Sequence, residues 1–174
     1  MIVLLILSSC SNQKTNNIAK IKSPQHKVHN LTKKKLSNAT YFQFTGESRS
    51  LTIGPNDQAE DGSTLYLLHD QMAFGDLRGD GEDYAVVFLA ENGGGSGVFI
   101  SLNAIVDSNG SPYHLASFSL GDRIGIDTVF IQDRIIHVNA MIQSGNHGAF
   151  PDSSASWQFI LENNDLKEIT GAKF

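Results

Sequence analysis

The sequence predicts an all-β protein, an antiparallel sandwich or curled sheet of about nine or ten short strands. From residue 36 onward, short runs of aliphatic, β-branched and aromatic residues alternate with turn signals at regular spacing. Sixteen glycines against four prolines indicate many tight turns. No segment keeps a helical period of apolar residues. Short strands are therefore favoured over long helices.

Ten runs between turn signals carry the strand prediction. Two apolar runs joined by the glycine-rich turn 92–97 form the clearest hairpin signature. Ile136 and Val138 alternate with His137 and Asn139, the pattern of a strand with one buried face. We expect the strands at 40–45, 50–53, 64–69, 84–90, 98–106, 113–120, 127–131, 134–142, 157–161 and 166–169.

Charge divides the chain into two unlike parts. The formal net charge is −5, but no Asp or Glu precedes Glu47, and seven of the thirteen basic residues are lysines before that point. The remaining six basic residues stand against eighteen acids, a formal charge of −12. Such an acidic domain repels nucleic acid, so nucleic acid is not an expected partner.

The first residues resemble the signal peptide of a bacterial lipoprotein. An unbroken apolar run at 2–7 leads into Leu7-Ser8-Ser9-Cys10, which is similar to a lipobox: a branched apolar residue, two small residues and a cysteine. The resemblance implies cleavage before Cys10 and acylation of Cys10, so residues 1–9 are assigned to the signal peptide. They are fewer than usual and include no basic residue, which a start codon assigned too far downstream explains. An N-terminal strand with a buried cysteine is the alternative.

Cys10 as a lipid anchor implies a location in the cell envelope, with membrane lipid as a partner. Under the sorting pattern of enteric lipoproteins, Ser11 in the next position implies the outer membrane. Residues 10–35 are rich in Lys, Asn, Ser and Gln and are predicted to form a flexible basic linker. Residues 36–174 then form the β-rich domain in the periplasm or at the cell surface.

One string in the domain resembles a metal-binding loop. FGDLRGDGED at 74–83 is similar to the GDxNGDGxxD loop of calcium-binding β proteins of the FG-GAP and VCBS types. Calcium takes six to eight oxygen ligands, which carboxylates at alternate positions of a tight loop supply. The resemblance implies Asp76 and Asp80 as side-chain ligands, Glu82 coordinating through its carbonyl group, and Asp83 substituting for a final acid.

Two positions of this loop depart from the calcium pattern. Arg78 stands where Asn or Asp donates an oxygen, and Tyr84 stands where the final acid belongs. A metal-free turn is the favoured alternative, in which Arg78 neutralises Asp76 or Asp80 and the Asp side chains cap backbone amides. Calcium remains the one candidate cofactor.

Four short motifs in order resemble a group of uncharacterised bacterial lipoprotein domains that carry NATY, FGDLNGDGxxDAAV, GGSGTF and LGDR. Here they read NATY at 38–41, AFGDLRGDGEDYAVV at 73–87, GGSGVF at 94–99 and LGDR at 120–123. The resemblance covers roughly residues 36–170 and implies an envelope location and a β-rich domain. That group has no established activity, so it implies no catalytic residues.

Three functions are compatible with these residues. The leading hypothesis is a membrane-anchored envelope lipoprotein whose non-catalytic domain binds another envelope component or serves assembly, with an envelope protein as the candidate partner. The second is an inhibitor of a basic hydrolase such as lysozyme, because an acidic domain complements basic charge. The third is an enzyme acting on the cell wall or its glycans through carboxylates among Asp122, Asp127 and Asp133. Since no catalytic motif is found, we expect no enzyme.

Overall fold

The computed structural model describes residues 30–42, 48–50, 62–143 and 151–170. In these residues it confirms the all-β prediction, with ten strands and one four-residue helix. No helix in the described ranges is long and apolar enough to cross a membrane. The elements are α1 (Lys33–Leu36), β1 (Thr40–Phe42), β2 (Ser48–Ser50), β3 (Thr64–Gly75), β4 (Tyr84–Asn92), β5 (Phe99–Ser108), β6 (Ser111–Asp122), β7 (Gly125–Gln132), β8 (Ile135–Ile142), β9 (Ser153–Glu162) and β10 (Asp165–Thr170).

The strands form two four-stranded antiparallel sheets and one short hairpin. The first sheet has the order β3-β4-β5-β6, the second has the order β10-β9-β8-β7, and β1 pairs with β2. Among the described strands, each therefore pairs with its neighbour in the sequence. The edges of the two sheets also approach each other, since a Cβ atom placed on Gly75 of β3 would lie 3.3 Å from Ile131 Cγ2 of β7.

The main core lies between the two sheets, as in a sandwich. Alternate side chains of β8 point into it, as the sequence predicts. Phe159 of β9 is fully buried there, and its ring centroid lies 4.8 Å from that of Phe118 on β6. Both inner faces are apolar, so burying them against each other provides the main driving force for the fold.

A second apolar cluster covers the outer face of the first sheet. Leu31, Leu36 and Tyr41 pack there against outward-facing side chains of β4 such as Val87. With a core on each side, β4 is buried on both faces, which explains why residues 84–90 form an unbroken apolar run. Residues 30–35, assigned to the linker by composition, thus include a packed segment of the domain.

A buried polar network fastens β1 to the first sheet. His114 of β6 is 4% exposed, and its Nδ1 accepts a hydrogen bond from the Phe42 backbone N–H at 2.8 Å. The proton of the neutral ring is therefore on Nε2, which donates to Ser117 Oγ at 2.8 Å and to Ala116 O at 3.2 Å. Ser117 Oγ in turn donates to Asn103 Oδ1 at 2.8 Å. The imidazole thus links β1 to β6, and Ser117 extends the network to Asn103 of β5.

Candidate functional site

The loop between β3 and β4 folds around the side chain of Asp76. This carboxylate accepts backbone N–H groups from Arg78 at 3.0 Å, Gly79 at 2.7 Å and Gly81 at 2.9 Å. Both glycines have φ near +80°, a conformation that side-chain-bearing residues rarely adopt. Burial raises the pKa of Asp76, but the backbone hydrogen bonds outweigh it and hold this pKa below its ordinary value. Asp76 therefore organises the loop from inside.

Asp80 and Tyr84 close the loop against β4. Asp80 accepts the Glu82 N–H at 3.0 Å and the Tyr84 hydroxyl at 2.7 Å. Burial and this hydrogen bond to Asp80 raise the pKa of Tyr84 to about 12. The residue in the final ligand position thus donates a hydrogen bond to Asp80, where a calcium ligand would direct an oxygen at the metal.

Asp83, predicted to substitute for a final acid, binds a residue outside the loop. Asp83 is 4% exposed and accepts the Asn30 N–H at 2.8 Å, so it ties the N-terminal segment to the start of β4. The side chain of Glu82 is exposed, whereas the prediction for Glu82 concerns its backbone carbonyl group. In the described ranges, no group of three or more His, Cys, Asp or Glu side chains is placed to hold a metal ion. Calcium binding stays a prediction.

Asp76→Ala is expected to lower the free energy of unfolding by about 1–2 kcal/mol, because three backbone N–H groups lose their acceptor. Urea denaturation of the full chain measures the change. Asp127→Ala is the matched control: this carboxylate is exposed on β7, so its loss should change stability by less than about 0.5 kcal/mol. Equal effects of the two substitutions would contradict the organising role of Asp76.

Three connections meet at one end of the sandwich and border an open cleft, which we call the turn cleft. They are the loop at Leu77 and Arg78, the β7–β8 turn 133–134, and the β9–β10 turn 163–164. The cleft has a volume of about 880 Å³, within the range of small-molecule sites. In both turns the two central residues have positive φ, as in the two-residue turns of tight hairpins.

Two arginines project into the turn cleft from different elements. The Arg78 guanidinium donates a hydrogen bond across the cleft to Asn164 Oδ1. It also lies 5.9 Å from the ring centroid of Tyr84, a favourable cation–π distance. Arg134 lies over the loop, since its Cδ and Nη1 are 3.4 Å from the Cβ position of Gly79. The Asp side chains cap backbone amides as the metal-free alternative predicts. Its other part is wrong, since among the described residues Arg78 forms no ion pair with Asp76 or Asp80.

The glycine-rich motif and the LGDR motif meet at the opposite end of the first sheet. Asp122 accepts the Val98 N–H at 2.7 Å, and the Arg123 N–H donates to Val98 O at 2.8 Å. Arg123 also pairs with Asp122 at 3.2 Å and donates to Ser96 O at 3.1 Å. These residues therefore join the β4–β5 turn to the end of β6, a structural role.

The carboxylates considered for catalysis are not brought together. Asp122 is engaged with Val98 and Arg123. Asp127 and Asp133 stand six residues apart along β7 and the turn after it, about 20 Å in an extended strand. Paired catalytic carboxylates of glycoside hydrolases lie within about 10 Å of each other. The predicted lipid anchor, Cys10, lies outside the described residues.

Sequence reasoning did not identify Arg134, Asn163 or Asn164 as members of a site. The only signal was the paired turn residues at 163–164, which predict a tight turn but not what the turn faces. Comparison of the chain with protein-family models, with curated proteins and with solved structures finds no match. The resemblance of the four motifs to lipoprotein domains therefore stays a prediction.

Proposed function

We propose that this chain is a membrane-anchored lipoprotein of the bacterial cell envelope whose β sandwich is a non-catalytic binding domain. The observation that carries the binding function is the turn cleft, which three connections form at one end of the two sheets. Its lining has charged, amide and aliphatic side chains and, in the part of the chain that the structure describes, no Ser, Cys or His. A few charged and amide groups set among aliphatic side chains are typical of sites that bind small ligands.

The proposed membrane anchor rests on Leu7-Ser8-Ser9-Cys10 and on the number of residues between Cys10 and the folded domain. Asn30, the first described residue, follows Cys10 by twenty residues. A chain of that length spans at most about 70 Å. An acylated Cys10 therefore holds the turn cleft close to a membrane, where another envelope component is the expected partner. Ser11 favours the outer membrane as that surface.

Growth of a bacterial host expressing the chain with an alkyne-bearing palmitate should label it through Cys10. Cys10→Ser should abolish the label and move the protein from the membrane fraction to the soluble fraction, because the acyl chains supply the membrane affinity. Labelling is read by fluorescence after electrophoresis, and location by fractionation. Ser11→Ala is the matched control and should keep the label.

Two outcomes would contradict the anchor. One is a label that survives Cys10→Ser, and the other is an unlabelled parent chain in the cytosol. Either result would leave the fold unaffected but would remove the support for a location in the cell envelope. Because palmitate incorporation reports only on the N-terminal cysteine, this experiment is independent of what the turn cleft binds.

A further inference from the structure

We propose that the turn cleft binds a free carboxylate group, which is held between the guanidinium groups of Arg78 and Arg134. The inference rests on the proposed binding function and deepens it by naming the ligand class of the same cleft. Its starting point is how the loop distributes its own charges.

The loop uses the carboxylates of Asp76 and Asp80 for its own hydrogen bonds and leaves the Arg78 guanidinium group to the cleft. Both oxygens of Asp76 and both oxygens of Asp80 accept hydrogen bonds from donors of the loop and of Tyr84. Neither carboxylate is engaged with Arg78. The Arg78 guanidinium extends into the turn cleft, where Asn164 Oδ1 orients it through one hydrogen bond. A guanidinium group has five N–H donors, so several remain for a ligand.

The second guanidinium is set in place by an uncommon backbone conformation. Arg134 has φ of 67°, a region that residues other than glycine, asparagine and aspartate rarely adopt. This conformation directs its side chain over Gly79, to 3.4 Å from the Cβ position of that glycine. Among the described residues, no carboxylate forms a salt bridge with either arginine. Two guanidinium groups that line one opening, with no salt bridge to a described carboxylate, are suited to a shared carboxylate, which each can bind by parallel hydrogen bonds.

The rest of the lining favours a singly charged ligand over phosphate. Asp133, next to Arg134 in the sequence, also lines the cleft, whereas the Glu162 carboxylate is already paired with Lys167 Nζ. The two arginines therefore face one uncompensated acid, which suits a single negative charge and disfavours a doubly charged phosphate. Leu77 and Ile160 provide an apolar wall for the carbon atoms next to the carboxylate.

The test uses the full chain with Cys10→Ser and sodium N-acetylalaninate, a probe with one free carboxylate. Nuclear magnetic resonance follows backbone amide signals during titration, and we expect saturable shifts at residues 78–79 and 134. Arg78→Gln and Arg134→Gln should each weaken binding by about tenfold, because each removes charge-assisted hydrogen bonds. Arg123→Gln is the matched control, since that arginine lies at the opposite end of the sheet, paired with Asp122. It should leave the affinity unchanged.

Titrations with other small molecules distinguish a peptide carboxylate from a sugar carboxylate and test the proposal against other anions. N-acetylalaninamide, the neutral counterpart, should not bind, whereas sodium galacturonate tests whether an acidic sugar is bound instead of a peptide end. Stronger binding of inorganic phosphate than of either carboxylate would overturn the assignment, and so would equal losses in all three arginine variants. Absence of shifts with every anion at tens of millimolar would also overturn it. A chain that takes up palmitate but ignores these anions would remain an envelope lipoprotein with another ligand.

Discussion

Phe159→Ala is expected to lower the free energy of unfolding by about 3–5 kcal/mol, the range for removing a buried aromatic side chain. Phe159 is fully buried between the sheets, pairs across the strands with Ile136, and has its ring centroid 4.8 Å from that of Phe118. The substitution removes contacts with both sheets and leaves a cavity that the paired strands resist closing. Urea denaturation, followed by the fluorescence of Trp157, measures the loss.

Phe130→Ala is the matched control for this experiment. Phe130 lies in the same sheet but is 43% exposed, and its ring stacks on His137 with centroids 4.5 Å apart. Its removal should cost about 1 kcal/mol or less, since little apolar area leaves water on folding. If both substitutions cost the same, the two sheets would not share the core that the structure places between them.

Acidification from about pH 7.5 to pH 5.5 is expected to lower the free energy of unfolding through His114. Burial lowers the pKa of His114 below its ordinary value of 6.5, and a protonated ring also loses the Phe42 N–H acceptor site. Between the two pKa values the unfolded chain holds more protons, so stability is complete above about 6.5 and falls as pH falls toward the folded-state pKa. Each unit that separates the two values contributes about 1.4 kcal/mol.

Urea denaturation at several pH values measures this dependence, with His114→Gln as the test variant. Glutamine does not titrate, so the variant should lose most of the slope of stability with pH, although it is less stable at neutral pH. His137→Gln is the control, because that ring lies on the outer face of the second sheet against Phe130. A slope that persists in His114→Gln would assign the acid sensitivity to other groups.

The strands that the sequence predicts best are those with a simple burial pattern. The run 134–142 alternates and corresponds to β8 almost residue for residue, and the apolar run 84–90 lies within β4. β3 extends to Gly75, beyond the predicted end at 69, because the polar segment 69–71 interrupts the alternation where the register shifts. β9 begins at Ser153, since its outward-facing serines look like a turn in the sequence. Polar residues on exposed positions of strands thus hide strand ends.

The candidate site was predictable only in part. The loop 74–83 stands out by composition, but its departure from the calcium pattern at Arg78 reads in the sequence only as a defect. The role of Arg78 becomes visible when Asn164, 86 residues away, is placed across the cleft. Arg134 likewise belongs to the site only because its turn ends at the same edge of the fold. Contacts between turns so far apart depend on how the two sheets stack, which local patterns do not encode.

The pairing of each strand with its neighbour in sequence has a consequence for biosynthesis. A chain that emerges N-terminus first has every hydrogen-bonding partner of the first sheet available before residue 125 appears. That sheet then exposes Val86, Phe88 and Leu102 until the second sheet arrives to cover them. We therefore expect the partly synthesised chain to be prone to aggregation until residues 125–174 have been made or exported. A chaperone that shields one apolar sheet face would be of most use during that interval.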